Sequence, residues 1–246
     1  MWDCGHVREP DYTKRKACAS GQTILFGERN NRQSTTFPPG VGLKVGPGTG
    51  VNYLVLRIHY AKHEMFAKVG DTSGLTIGVE PASSGLVTKR AGLIALGPGG
   101  SIPPLSMETM DVACKIKEDI DIHPFFFRTH SHKYGRETTG WKIDGQSKEW
   151  QLIGRTFRGD ASKFYDIHGL TLTKGDFLAA RCVMNNTTPE RVYIGATIKD
   201  EMCNLFLYYY VDGDTILKMD NCWTPGPPTY RWTTDRSLPS LPDRPR

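Results

Sequence analysis

Phe125-Phe126-Phe127-Arg128-Thr129-His130-Ser131-His132 is the stretch on which the reading of this 246-residue chain turns. Phenylalanine and threonine favour an extended backbone. In a strand, residues two apart share a face. Arg128, His130 and His132 then project together, with Phe127 and Thr129 behind them. Two imidazoles so placed can hold one metal ion and leave positions for a third ligand and a substrate. A guanidinium one step along the strand can grip a carboxylate in bidentate fashion beside that metal. A lone His-x-His is more often two surface histidines, so the reading needs a second motif.

Asp200-Glu201-Met202-Cys203-Asn204-Leu205-Phe206 supplies it, opening an apolar aromatic run to Tyr210. The same two-residue period sends Met202, Asn204 and Phe206 one way and Cys203 and Leu205 the other. A thioether is a soft ligand that, with two imidazoles, suits copper and above all Cu(I). By itself Met202 would read as core filler.

Together the two stretches resemble the copper type II, ascorbate-dependent monooxygenase family, in its peptidylglycine-hydroxylating branch rather than its amine-hydroxylating one. Arg128, Asn204, the run Leu152-Ile153-Gly154-Arg155 with Phe164-Tyr165, and Gly175-Asp176-Phe177-Leu178-Ala179-Ala180-Arg181-Cys182 carry the likeness to that branch. It runs from about Trp2 to Cys222 and is strongest from His123 to Tyr210. The resemblance implies an all-β protein: two jelly-roll-like antiparallel β-sandwich domains, each with one copper, the first incomplete here at its N-terminus. The expected division is 1–83 for the remainder of an electron-storing copper domain, 84–224 for the oxygen-activating and peptide-binding domain, and 225–246 for a Pro-rich tail, extended or disordered.

By the same resemblance His130, His132 and Met202 are ligands of the copper at which molecular oxygen is activated, and Arg128 and Asn204 bind the substrate carboxylate. Phe206 stands where the family usually has tyrosine, which removes one hydrogen bond to that carboxylate. His59 matches one ligand of the second copper, whose other two come from an adjacent His-His pair; this sequence contains no such pair, and neither His6 nor His63 replaces it. The expectation is therefore one copper here against two in a complete enzyme, and a chain that lacks upstream strands. Cys114–Cys222 and Cys182–Cys203 are the implied disulfides, with Cys4 and Cys18 matching cysteines whose partners lie upstream. His123 is read as structural and His168 as a loop histidine.

The rest of the sequence sets bounds. Hydrophobic content of 38% and charged content of 23% describe a globular chain. A net charge of +5, dispersed among acidic residues, argues against a nucleic-acid partner. No apolar run is long enough to span a membrane as a helix. Six cysteines, none in a Cys-x-x-Cys pair, read as disulfides of an oxidising, secretory compartment. The overlapping sequons Asn185-Asn186-Thr187 and Asn186-Thr187-Thr188 fit a secreted glycoprotein, although the start of the chain shows no signal segment. Short β-type runs split by Gly and Pro are expected at 41–45, 53–60, 93–96, 111–115, 125–130, 140–143, 150–153, 170–173, 177–183 and 192–197, ahead of the Met202 run.

The expected activity is ascorbate-dependent hydroxylation of glycine-extended peptides, the first step of C-terminal amidation, with the later lyase step on a separate chain or a missing segment. Hydroxylation of a small aromatic amine is a second reading, and Arg128 argues against it because a cation has no use for a guanidinium. A third is a truncated or inactive secreted family member that binds copper or peptide.

Overall fold

The computed structural model describes residues 25–26, 35–56, 70–158, 163–195, 197 and 199–239. His6, His59, His63, Cys4 and Cys18, with the expectations placed on them, lie outside the described residues. Twelve strands follow in chain order: β1 (Val41–Gly42), β2 (Lys89–Pro98), β3 (Ser101–Ile102), β4 (Ser106–Lys115), β5 (His123–Ser131), β6 (Gly135–Ile143), β7 (Trp150–Phe157), β8 (Tyr165–Asp166), β9 (Phe177–Asn186), β10 (Val192–Tyr193), β11 (Cys203–Val211) and β12 (Asn221–Thr224). Among the described residues the helical pieces are two short 3-10 turns, Ala82–Ser84 and Trp232–Thr234. The protein is all-β.

Two compact units divide the chain, Met1–Thr23 with Lys44–Leu86 and Ile24–Leu43 with Val87–Arg246. In the first, the described residues are loops and the Ala82–Ser84 turn, with a Gly46–Val51 turn in which the Thr49 hydroxyl donates to Gly46 O at 2.7 Å. The second contains two large sheets and a small one that pairs β10 with β3. One large sheet has the order β1-β2-β11-β5-β8, with β12 also pairing β2, and the other the order β4-β9-β6-β7. Pairing is antiparallel except where β1 and β12 run parallel to β2.

The sheets face each other across an apolar layer of Ile94, Leu96, Val112, Phe127, Leu178, Ala180, Leu205, Leu207 and Tyr209. What brings them together is a pair of glycines. Gly140 and Gly154 are direct cross-strand neighbours on β6 and β7. A Cβ on Gly154 would overlap the Phe127 ring, and one on Gly140 would overlap Leu205 Cδ1. Phe127 and Leu205 from the first sheet thus enter a hollow in the second. Beside them Thr129 and Thr156 join the sheets by a buried hydroxyl pair at 2.7 Å. Burying Phe127 and Thr129 inward turns Arg128 and His130 to the outer face.

Part of that outer face is covered. Ala91, Leu93, Phe125 and Tyr208 pack beneath Val41, Phe26, Phe37 and Leu43, with Phe37 edge-on to Phe125 at 5.2 Å. Phe26 and the segment 35–43 therefore pack with the sandwich, in advance of β2.

Several expected strands contract. The 41–45 run yields only β1, 192–197 yields β10, 170–173 keeps a single bridge between Leu172 and Ile122, and the described part of 53–60 lies outside any strand. β-branched composition marks chain that can extend, and a neighbour with free backbone groups decides whether it pairs.

The region after Cys222 corrects the expectation of an extended or disordered tail. Trp232 is buried among Trp141, Phe177 and Ala179. Its indole donates to Val112 O at 3.1 Å and its backbone N–H to Asp111 Oδ2 at 3.0 Å. Arg181 lies 4.3 Å over the same ring while holding Asp111 through two hydrogen bonds. Arg231 grips Glu108 in a bidentate pair. The prolines give the segment the composition of unfolded chain, but one tryptophan with both N–H groups satisfied docks it.

Two outcomes check this packing. Gly154→Ala forces a methyl into the Phe127 ring and is expected to destabilise the sandwich by about 1–3 kcal/mol in denaturant unfolding, with partial recovery when Phe127→Leu is added. The second concerns acid. Burial alone would raise the Glu108 pKa, but the Arg231 and Thr109 hydrogen bonds outweigh it and hold the pKa below the ordinary 4.5. Its contribution is present above that value and fades as the pH falls below it. Acrylamide quenching of tryptophan fluorescence is expected to increase below pH 4.5, and less steeply in Glu108→Gln.

Candidate metal centre

β5 and β11 are adjacent and antiparallel, so the two motifs meet in register. Arg128 lies opposite Phe206, His130 opposite Asn204 and Ser131 opposite Cys203. His132 and Met202 are the next residues on each side, one step beyond the last pair. Arg128, His130 and His132 thus line up beside Phe206, Asn204 and Met202 on the outer face, while Cys203, Leu205 and Leu207 face the core.

Geometry within this group is specific. The His130 and His132 rings are perpendicular, at 87°, with centroids 5.1 Å apart. His132 Nδ1 lies 2.8 Å from the carbonyl oxygen of Asp200. A carbonyl can only accept, so Nδ1 carries the proton and Nε2 keeps its lone pair for a ligand. Asn204 Nδ2 lies 3.8 Å from Met202 Sδ. The Arg128 side chain is buried, at 6% exposure, with its guanidinium 4.7 Å over the Phe206 ring. His123 sits at the opposite end of β5, stacked on Tyr210, with Nδ1 3.1 Å from Thr171 Oγ1; it belongs to the scaffold. His168 is an exposed loop residue.

Three consecutive residues hold these strand ends together. Glu201 has zero exposure. One of its carboxylate oxygens accepts the backbone N–H groups of His132 and Met202, the latter at 2.8 Å, and the other accepts that of Tyr134 at 2.7 Å. Cys203 points inward and is bonded to Cys182 of β9, in the opposite sheet. Met202, between them, is half-buried on the outer face. The second disulfide, Cys114–Cys222, ties β4 to β12. Both pairs are those that the resemblance implies.

Sequence reasoning assigned Glu201 no role. A signal for one exists, since Glu201 shares the parity of Cys203 and Leu205, and an inward carboxylate must find donors. Gly97 and Trp223 also escape a reading of the sequence. A Cβ on Gly97 would lie 2.6 Å from Asn204 Oδ1 and overlap the Trp223 ring, so this glycine gives both side chains their room.

The candidate donors on this face are two imidazoles and a thioether, and the described residues contain no cluster of three His, Cys, Asp or Glu side chains that could hold a metal ion. Such a soft, uncharged set fits copper in its reduced state and disfavours calcium or magnesium. The orientation of His132 by the Asp200 carbonyl is the support that a metal-bound imidazole needs.

Fold and side chains together define a β-sandwich that carries two imidazoles and a thioether on one outer sheet face. The sequence model of the copper type II ascorbate-dependent monooxygenase C-terminal domain matches residues 89–235, and the chain belongs to that copper- and ascorbate-dependent family of oxidoreductases. It is 32% identical over 232 residues to peptidyl-glycine alpha-amidating monooxygenase B of Xenopus laevis, covering 92% of this chain and 25% of that relative. The Rattus norvegicus peptidylglycine alpha-amidating monooxygenase is 32% identical over 212 residues, covering 83% of this chain and 21% of the relative. DBH-like monooxygenase protein 1 of Homo sapiens is 26% identical over 230 residues, covering 85% and 35%. The chain spans about a quarter of the length of the amidating relatives it matches.

Replacing Glu201 tests the clamp. Glu201→Gln removes one of the two acceptor oxygens and turns an amide N–H toward a backbone donor. Cu(I) affinity, read by competition with a chelator, is expected to fall by about 10–100-fold. Glu108→Gln, at the other sheet, should leave it unchanged.

Proposed function

We propose that this chain carries the oxygen-activating and peptide-binding part of a copper monooxygenase that hydroxylates the α-carbon of C-terminal glycine in glycine-extended peptides. The observation that carries the reading is the register of β5 on β11. It sets a buried guanidinium two residues from the first of two imidazoles, with an amide opposite that imidazole and the thioether residue next to it. The identity to amidating monooxygenases adds weight.

Copper held by His130, His132 and Met202 would supply the one-electron chemistry that activates molecular oxygen at the expense of ascorbate. The balance is complete when one oxygen atom enters the glycine C–H bond as hydroxyl and the other leaves as water, with two electrons from ascorbate and two protons. The protein's task is then placement. Arg128 receives the terminal carboxylate in a charge-assisted contact, and Asn204 adds an amide beside it. Phe206 keeps its ring against the guanidinium but has no hydroxyl to donate, so Arg128 carries more of the anchoring than it would beside a tyrosine. A buried guanidinium also speaks against a cationic amine substrate, although a DBH-like relative matches at 26% identity.

The proposal extends to residues 1–83, apart from the 24–43 segment that packs with the sandwich, as part of an electron-storing domain with His59 as a ligand, to one tightly held copper in this chain, and to a lyase step carried elsewhere. Two disulfides support passage through an oxidising, secretory compartment. Among the described residues no helix is long and apolar enough to cross a membrane.

Kinetics on a peptide ending in glycine and on its C-terminal ester test the anchor, using the chain with whatever reconstituted partner domain gives turnover. Arg128→Ala is expected to lower kcat/KM for the free acid by about 10–100-fold, the equivalent of one or two charged hydrogen bonds, and to leave the ester nearly unchanged. Equal losses on acid and ester would remove Arg128 as the anchor. His130→Ala should abolish turnover and copper retention on dialysis together.

A further inference from the structure

At the end of β9 two acceptor sequons overlap, Asn185-Asn186-Thr187 and Asn186-Thr187-Thr188. In sequence they are equivalent. Strand alternation makes them opposite. Cys182, Met184 and Asn186 face inward, while Arg181, Val183 and Asn185 face outward.

Asn186 has zero exposure, and every polar position of its amide is used. Nδ2 donates both protons, to Pro103 O at 2.9 Å and to Glu190 O at 2.7 Å. Oδ1 accepts from the Thr188 N–H at 3.0 Å and from the Thr188 hydroxyl at 2.7 Å. It locks the loop after β9 to the turn before β4. A sugar on Nδ2 would replace one of those protons and need space that the interior lacks.

Asn185 stands on the outer face, part-exposed, and the Thr187 that completes its sequon is exposed. Its cross-strand partner is Met107, on β4 at the edge of the sheet. Met107 is 67% exposed and the neighbouring Leu105 72%. The tail that covers the outer face of this sheet reaches Glu108 through Arg231. Beyond that point lies this open apolar pair, at the start of the sheet's edge strand, a feature that soluble proteins commonly shield.

We propose that Asn185 is the N-glycosylation site of this chain and that Asn186 is never modified in the folded protein. In the reaction the Asn185 amide nitrogen bonds to the anomeric carbon of an oligosaccharide carried on a polyprenyl pyrophosphate. The sugar–phosphate bond breaks, the pyrophosphate leaves with the electron pair, and the amide gives up one proton to a base. The glycan then stands over Met107 and Leu105 and shields the β4 edge. The site rests on the secretory reading given above, but not on the proposed substrate or metal.

The test is expression of the full chain behind an added signal peptide in a eukaryotic secretory host, sampling cells and medium together. Peptide-N-glycosidase should shift the wild-type chain to higher mobility. Thr187→Ala, which destroys only the Asn185 sequon, should lose the shift, and Thr188→Ala, which destroys only the Asn186 sequon, should keep it. Because Thr188→Ala also removes a bond to Asn186, the wild type provides an independent readout. Enzymatic deglycosylation in heavy-oxygen water converts the glycosylated asparagine to labelled aspartate, and fragmentation should place the label at 185. A label at 186, a shift that survives Thr187→Ala, or no glycan on the wild type would each overturn the proposal. A native chain found outside the secretory pathway, while the signal-fused chain is modified at Asn185, would remove the secretory reading alone.

Discussion

The entry of Phe127 and Leu205 into the hollow left by Gly140 and Gly154 is the contact on which the rest of the molecule depends. It sets how closely the two sheets approach. It also decides the parity of β5 and β11. A strand has two faces, and once Phe127, Thr129, Leu205 and Leu207 are committed inward, Arg128, His130, Asn204 and Phe206 have nowhere to go but out. A slip of one residue would put a guanidinium and an imidazole between the sheets, where each would need partners that the apolar layer lacks. The face that carries the candidate site is thus specified by the packing behind it.

Glu201, Met202 and Cys203 divide three tasks among neighbours. Glu201 gathers the backbone of residues 132 and 134, Cys203 binds the strand to the opposite sheet, and Met202 is left outward between two fixed points. A flexible thioether side chain is a poor choice where position matters, unless its backbone is held on both sides. The same economy recurs at the C-terminal strap, where Asp111 receives both the Arg181 guanidinium and the Trp232 backbone N–H. A buried carboxylate is tolerable in each case because its oxygens are fully engaged by donors.

Much of the site is legible in the residues alone. The alternation in 125–132 and 202–206 places the right side chains on common faces, because period two is a local property of extended chain. Strand length is less legible: 170–173 and 192–197 have the composition of strands but find little to pair with. The strap is misread outright, since five prolines between 225 and 242 outweigh Trp232 in a composition argument.

By itself the sequence determined the all-β class, the two motif faces, the family likeness and the pairing of four cysteines by that likeness. Tertiary structure alone decided that β5 and β11 are neighbours, that Arg128 lies against Phe206 and His130 against Asn204, and that Glu201 clamps both ends of the site. It alone separated Asn185 from Asn186. The reason is physical: the facing of a side chain along its own strand follows from local stereochemistry, whereas its neighbour across the sheet, and the burial of one asparagine but not the next, depend on segments dozens of residues away.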